Sequence, residues 1–164
     1  MDRETRILID YFPALAKDPY FKITSPWSYD YNCIAWALET DEKRFWPFVE
    51  DEDGNIIPPD EYEDGDEDIF WPNNVARDKK VETFVKCFQS FGYTLCHDSA
   101  PEPGYTKIAL YAIDGEVTHA ARQLSNGLWT SKLGPLNDIQ HGSPEAIEGE
   151  FYGKVAAYMK RKMS

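Results

Sequence analysis

Cys33, His119 and Asp138 have side chains suited to attack on an amide bond, and they are spread along the sequence. Cys33 opens the apolar segment 34–38, and Asn32 before it is a residue type that caps helix N-termini. A thiol in the first turn of a helix lies near backbone N–H groups that favour the reactive thiolate. The sequence therefore predicts a nucleophile with a lowered pKa at Cys33; the alternative is an inert packing cysteine.

His119 is the predicted general base, because it stands near the start of a predicted strand at 118–124 and follows a turn. From there an imidazole facing the helix accepts the thiol proton. Asp138 would orient that imidazole and stabilise its charged form. The substitutes for Asp138 are Ser131 and His141. The alternatives are an ordinary strand histidine at 119 and an N-cap aspartate opening a short helix at 138–141.

An oxyanion that forms on the attacked carbonyl would also need hydrogen-bond donors. The backbone N–H of Cys33 is the first candidate, since it lies at the start of the predicted helix. Asn32 is a second candidate, because its amide precedes the thiol directly.

The elements that must position these residues are helices first and strands afterwards. Apolar periodicity predicts helices at 4–11, 32–40 and 79–91, with a proline-punctuated extended strap between the first two. The predicted strands lie at 93–96, 107–113, 118–124, 128–133 and 152–160. Asp114-Gly115 and Ser125-Asn126-Gly127 predict hairpins. This order predicts an α+β fold, with N-terminal helices packed on a C-terminal antiparallel sheet.

The chain has 164 residues, the usual size of one domain, so we expect a single domain over 1–164. An acidic excursion interrupts it at about 45–75. The net charge is −12, but eleven acidic residues and no lysine or arginine lie within 50–68. The rest of the chain is nearly neutral and has no basic field for nucleic acid. The excursion is predicted to be a solvated loop, or a lid that screens the site or selects cationic substrates.

No cofactor or metal is expected. The three cysteines fit no disulfide framework, and Cys96 with the three histidines lacks zinc-ligand spacing. The acidic stretch fails the EF-hand pattern, because Gly54 is fourth and Tyr62 twelfth when counted from Asp51.

The chain shows no apolar run long enough for a membrane span and no signal peptide. The sequence therefore predicts a cytoplasmic protein, or one exported by a signal-independent secretion system. The expected partner is a peptide or protein, as substrate or as binding partner. Neither nucleic acid nor membrane is expected, and the oligomeric state is left open.

The order of Cys33, a second helix and His119 leading a strand resembles papain-like cysteine peptidases and amidases, particularly the compact NlpC/P60-like type. The phrases Tyr-Asn-Cys-Ile-Ala-Trp-Ala, Thr-His-Ala-Ala-Arg-Gln and Trp-Thr-Ser-Lys-Leu-Gly also resemble an uncharacterised bacterial family of small proteins. The resemblance implies a polar third residue among 130–132 on the strand after His119. The chain departs from papain in lacking a glutamine just before Cys33, and it lacks the Asp-Cys-Ser-Gly-Phe phrase of cell-wall peptidases.

Two functions follow from this reading. The first is a cysteine hydrolase acting on an amide bond through a Cys33–His119 dyad or triad. The second is a catalytically silent papain-like scaffold that binds a protein, as an immunity or adaptor protein would, with the acidic excursion as its contact surface.

Overall fold

The computed structural model of the protein describes residues 2–26, 31–39, 44–50, 53, 55–57, 69–72, 74–134 and 136–163. Most of the acidic stretch lies outside these ranges, so its role as a lid or contact surface stays a prediction. Within the described ranges, no helix has both the length and the apolar composition to cross a bilayer.

The helices and strands follow one another much as the sequence predicts. The helices are α1 (Arg3–Tyr11), α2 (Cys33–Ala37) and α3 (Val81–Gln89), with 3₁₀ turns at Pro13–Lys17 and Pro144–Ile147. The strands are β1 (Lys22–Ser25), β2 (Arg44–Phe45), β3 (Val49–Glu50), β4 (Ile56–Ile57), β5 (Ile69–Phe70), β6 (Thr94–Cys96), β7 (Tyr105–Ile113), β8 (Glu116–Gln123), β9 (Trp129–Lys132), β10 (Asp138–His141) and β11 (Lys154–Lys162).

One antiparallel sheet dominates the described part of the chain. Its seven strands run in the order β1-β10-β9-β8-β7-β11-β6, and the small pairs β2-β5 and β3-β4 lie outside it. The combination of helices with a largely C-terminal antiparallel sheet confirms the α+β prediction.

Hairpin turns set the register of the central strands. Asp114 and Gly115 join β7 to β8 with φ values of 52° and 83°, the left-handed pair that matches the twist of a two-residue hairpin. Gly127, at φ 87°, lies in the turn that joins β8 to β9. Both turns were predicted from the sequence.

The sheet has a hydrophobic core on each face. On one face α2 and α3 pack over alternate residues of the central strands. Members of this first core include Cys33, Ile34, Phe84, Phe88, Leu110 and Ala120. On the other face lie α1 and both 3₁₀ turns. Members of this second core include Leu8, Leu15, Tyr111, Ala121, Trp129 and Ile139.

Two local predictions were wrong. The segment 138–141, predicted as a short helix, is strand β10, because it pairs with β9 on one side and β1 on the other. The predicted extended strap contains a 3₁₀ turn and the edge strand β1. Strands β1 and β10 form because their backbone groups pair in the sheet ladder with strands that lie elsewhere in the sequence.

Helix α2 is also shorter than the predicted 32–40. It ends at Ala37, and Glu39 adopts a left-handed backbone conformation with φ 66°. The Glu39 carboxylate forms ion pairs with Arg122 of β8 and Arg161 of β11. These contacts turn the chain away from the helix axis, although a left-handed conformation is unfavourable for a residue with a Cβ atom.

Candidate functional site

Asn32 and α2 hold Cys33 against strand β8. The Asn32 side chain accepts a hydrogen bond from the Ala35 amide at 3.0 Å, which confirms the predicted N-cap. Only 8% of the Cys33 surface is exposed. The backbone N–H groups of Ala120, Ile34 and Cys33 itself point at its sulfur.

The resting ionisation of Cys33 is opposite to the prediction. Burial raises the pKa of the Cys33 thiol to about 11, against smaller lowering effects of the three N–H groups and of the Lys132 charge. The predicted lowering was wrong because α2 has five residues, which gives a small helix dipole, while removal from water penalises the thiolate strongly. Cys33 is therefore a neutral thiol at rest.

Asn32 is occupied by structural hydrogen bonds. Besides capping α2, its Oδ1 accepts from the Phe45 amide at 3.1 Å, and its Nδ2 donates to the Phe45 carbonyl at 2.7 Å. The structure therefore places the Asn32 amide as a link between α2 and β2, rather than as the predicted oxyanion donor.

His119 is fully buried in the sheet, at the fourth position of β8 rather than at its start. Its ring stacks on Tyr152 with 4.1 Å between centroids and packs 5.3 Å from Tyr111, which is its cross-strand neighbour. Burial, and then the charge of nearby His141, lower the pKa of His119 well below its ordinary value. The imidazole is therefore neutral at physiological pH.

A chain of hydrogen bonds fixes the far nitrogen of His119. Its Nε2 lies 3.1 Å from Ser131 Oγ, and Ser131 Oγ lies 2.8 Å from His141 Nε2. His141 Nδ1 lies 2.8 Å from the Ser143 carbonyl oxygen. Burial lowers the pKa of His141 to about 4, so this imidazole is neutral as well.

The proton positions in this chain follow from the Ser143 carbonyl, which can only accept. His141 Nδ1 must donate to it, so the Nε2 of a neutral His141 carries no proton and accepts from the Ser131 hydroxyl. The Ser131 oxygen then accepts from the Nε2–H of His119. Because His119 is neutral, its Nδ1 is left without a proton, and this buried nitrogen has no hydrogen-bond partner among the residues that the structure describes.

Asp138 does not orient His119. Its Oδ2 accepts a hydrogen bond from the Tyr31 hydroxyl at 2.5 Å, and its buried Oδ1 has no hydrogen-bond partner within the described ranges. Asp138 pairs with Lys132 across β9 and β10, whereas Ser131 pairs with Ile139. Since neighbouring residues of a strand face opposite sides of the sheet, Ser131 and His141, predicted only as substitutes, lie on the His119 side.

Sequence reasoning named Lys132 only as one of the polar residues 130–132 that the resemblance offers for the third position, and it missed the burial of this lysine. This lysine is fully buried at the end of β9, and its ammonium group lies 5.3 Å from the Tyr31 ring centroid. Its Nζ donates to the Leu136 carbonyl. The one sequence signal for this burial was the position of the lysine within a short predicted strand whose other residues suit burial. The signal is weak, because lysines are almost always exposed.

Strand β8 is irregular at the site. A register shift opposite Tyr111 and Ala112 leaves Thr118 without a cross-strand partner on β7. Between β8 and β9 only Arg122 and Gln123 are paired in the described ladder, so the strands diverge toward His119. Irregularities of this kind redirect side chains, and they are common beside functional sites.

Cys33 and His119 approach the same peptide unit from different cores. The sulfur accepts from the Ala120 amide, which directly follows His119, while the His119 ring packs against Tyr152 of the second core. In the part of the chain that the structure describes, no hydrogen bond joins the sulfur to the ring.

An apolar cavity of about 680 Å³ adjoins the second core. It shares Tyr152 with the ring stack of His119. Its other lining residues include Tyr11, Phe12, Leu133, Leu136 and Phe151. The described residues contain no group of three His, Cys, Asp or Glu side chains placed to hold a metal ion.

Comparison with known proteins identifies the family of the chain but no activity for it. No curated protein and no solved structure matches the chain. Residues 22–160 match the model of a family described as "Domain of unknown function (DUF7689)", and this range contains Cys33, His119, Ser131 and His141. Because the match covers most of the sequence, the chain belongs to the DUF7689 family.

Proposed function

We propose that the protein is a cysteine hydrolase, a peptidase, amidase or deamidase, in which Cys33 attacks an amide carbonyl and His119 moves the proton. The observation that carries this proposal is the bare, unpartnered Nδ1 of buried His119. A neutral imidazole with one nitrogen fixed as a donor and the other unprotonated is prepared to accept a proton. A buried polar atom without a partner is costly, and a catalytic role is one of the reasons for which such an atom is retained.

The two groups meet at one peptide unit of β8, Cys33 from the side of the first core and His119 from the side of the second, so the proposed proton transfer has to pass across this strand. Nδ1 is bonded to the ring carbon that carries the Cβ atom, so it is the ring nitrogen nearer the main chain. The Cys33 sulfur contacts the next amide along that main chain, at Ala120. Catalytic hydrogen bonds are often long in unliganded enzymes and tighten when substrate binds.

The reaction then proceeds in two stages. The Cys33 thiol proton passes to His119 Nδ1 as the sulfur bonds to the carbonyl carbon, and the carbonyl electron pair moves to oxygen. When the oxyanion collapses, the C–N bond breaks, and His119 returns its proton to the leaving nitrogen. Water then attacks the thioester while His119 accepts its proton, which releases the acid and restores the thiol.

Ser131, supported by His141, is the proposed orienting partner of His119, in place of Asp138. The hydrogen bond from His119 Nε2–H to Ser131 keeps Nδ1 unprotonated in the resting state. It also supports the imidazolium, which still donates through Nε2. A polar partner on the strand after the histidine fits the papain-like, NlpC/P60-like assignment, which we propose as the finer description of this α+β fold.

A second candidate function is a papain-like scaffold without catalysis that binds a protein partner. The observations that favour it are the burial of Cys33 and its raised pKa, which suit a packing cysteine. In this case the thiol would react slowly and its replacement by serine would cost little function.

The experiment that separates the two functions uses p-nitrophenyl acetate, an activated ester that acylates nucleophilic thiols. We expect a burst of p-nitrophenolate with the acetyl group on Cys33, and loss of the burst in Cys33→Ser. His119→Gln, which cannot accept a proton, should slow acylation at least about 100-fold. Cys96→Ser is the matched control and should leave the burst unchanged.

An acetylation rate in the wild-type protein equal to that of Cys33→Ser would reject the hydrolase. The binding scaffold would then be the better account.

A further inference from the structure

Lys132 is a buried cation whose charge is not fully compensated. Its side chain is inaccessible to solvent, and its described contacts are the Leu136 carbonyl and the face of the Tyr31 ring. Among the described residues it forms no ion pair within 4.0 Å, although Asp138 is its cross-strand neighbour. Taking an ammonium group out of water costs several kcal/mol unless an anion or strong acceptors replace the water.

The packing of α2 on β9 places this cation beside Cys33. Trp36 Nε1 donates to Thr130 Oγ1 at 2.9 Å, which fixes where the helix crosses the strand. Cys33 lies one turn before Trp36, and Lys132 lies two residues after Thr130 on the same face of β9. The Tyr31 ring, just before α2, completes the alignment by lying against the Lys132 ammonium group.

We propose that Lys132 is a positioning residue whose ammonium group stabilises the thiolate of Cys33 as it forms. This inference rests on the proposed function, because it concerns the same nucleophile. When the thiol proton moves to His119 Nδ1, the sulfur becomes the anion that the buried ammonium group otherwise lacks. Lys132 thereby offsets part of the desolvation that keeps Cys33 neutral at rest.

The other titratable groups around Cys33 act in defined directions. Asp138 of β10 raises the pKa of Lys132 and so favours the charged form of this side chain. His119 of β8 takes the proton and becomes positive. The Tyr152 hydroxyl is neutral at physiological pH, because burial keeps the pKa of this group far above its ordinary value. Burial lowers the pKa of Lys132 from its ordinary value, while Asp138 and then Cys33 act in the opposite direction, and Lys132 is the positive side chain that lowers the pKa of the Cys33 thiol.

The test is the pH dependence of iodoacetamide alkylation, read separately for Cys33 and Cys96 by peptide mass spectrometry. Lys132→Met keeps the approximate volume and removes the charge, so we expect Cys33 alkylation at pH 8 to fall at least about tenfold, with its pH profile displaced upward by about one unit. Lys132→Arg keeps the charge and should stay within about threefold of the wild type.

Lys107→Met is the matched control. Lys107 is likewise a buried strand lysine, at 2% exposure, but it lies on β7 and pairs with Asp98. Its charge acts on Cys96. Lys107→Met should therefore change the Cys96 profile and leave that of Cys33 unchanged.

Lys132→Gln is the second variant and decides the matter if Lys132→Met fails to fold. It keeps a donor for the Leu136 carbonyl but removes the charge, so alkylation of Cys33 at pH 8 should again fall at least about tenfold. An unchanged Cys33 profile in either of these folded variants would overturn the inference.

The results also separate this inference from the proposed function. Fast alkylation of wild-type Cys33 without a change in Lys132→Met would keep the nucleophile and reject the role of Lys132. Slow alkylation with the expected change would keep the coupling and reject the hydrolase.

Discussion

At the scale of single residues, the protonation of His119 determines what the site can do. The unprotonated state of its Nδ1 is deduced from the Ser143 carbonyl oxygen. This oxygen is connected to His119 by hydrogen bonds through His141 and Ser131. The imidazole is also kept neutral by burial and by His141. Because burial raises the pKa of Cys33 and lowers that of His119, both groups are neutral at rest. In the proposed reaction, proton transfer therefore accompanies attack, instead of preceding it as a stored ion pair.

Ser131→Ala tests the proton positions. In the wild type, ¹⁵N NMR of the rings should show His119 protonated on Nε2 and His141 protonated on Nδ1. The substitution removes the acceptor of His119 and the donor to His141, so His119 should populate the other tautomer. It should also lower the free energy of unfolding by about 1–3 kcal/mol. A wild-type His119 protonated on Nδ1 would contradict the deduced chain.

Sequence reasoning identified the residue types at this scale better than their partners. Cys33 and His119 were predicted as catalytic residues from their positions before an apolar segment and near a predicted strand start, and this assignment stays a prediction. Asp138 was preferred over Ser131 because a carboxylate orients an imidazole more strongly. Register decided otherwise, since β10 turns Asp138 to the face opposite His119. Neighbouring residues of a strand lie on opposite faces of the sheet. The face on which Asp138 lies could therefore not be predicted without knowing how its strand pairs.

At the scale of elements, the short helix α2 is held by side chains more than by its own hydrogen bonds. Asn32 caps it and ties it to β2, and Trp36 ties it to β9. A helix of five residues is not stable alone, so these contacts define where Cys33 lies. The N-cap could be predicted from the sequence because it depends on neighbouring residues. The end of the helix at Ala37 could not, because it depends on the ion pairs of Glu39 with distant residues.

Asn32→Ala measures the contribution of this anchor. The change removes the cap and both hydrogen bonds to Phe45, so we expect the free energy of unfolding in urea to fall by about 1–2 kcal/mol or more. Asn32→Asp keeps the capping acceptor but loses the donor, and it should lie between alanine and the wild type. Equal stability of Asn32→Ala and the wild type would show that the cap does not hold α2.

At the scale of the whole molecule, the fold surrounds one antiparallel sheet with two cores, and the two histidines lie sealed within it. The strands β6 to β9 and β11, α1, α3 and the hairpins followed from local periodicity and turn residues. The pairing of β1 with β10 did not, because it joins segments more than a hundred residues apart and depends on edges that only the assembled sheet provides.

The sealed histidines predict a loss of stability in acid. The pKa of His141 is about 4 in the folded protein, and that of His119 is also lowered, whereas an unfolded histidine titrates near 6.5. The unfolded chain therefore binds more protons between these values. Stability is complete above about pH 6.5 and falls as the pH drops toward 4, by roughly 3 kcal/mol for His141.

His141→Gln should reduce this slope when the free energy of unfolding is measured at several pH values. The exposed His97 supplies the control, since His97→Gln should leave the slope unchanged. Stability independent of pH between 6.5 and 4 in the wild type would contradict the buried, neutral state of the two histidines.

The central claim is that Cys33 is a nucleophile activated by His119, and the relative alkylation rate of Cys33 and Cys96 tests it most directly. Cys96 is the more exposed thiol, so accessibility alone would make it react first. The account predicts that iodoacetamide modifies Cys33 at least about tenfold faster, and that His119→Gln abolishes this advantage. Reaction of Cys33 no faster than Cys96, or an advantage that survives His119→Gln, would contradict it.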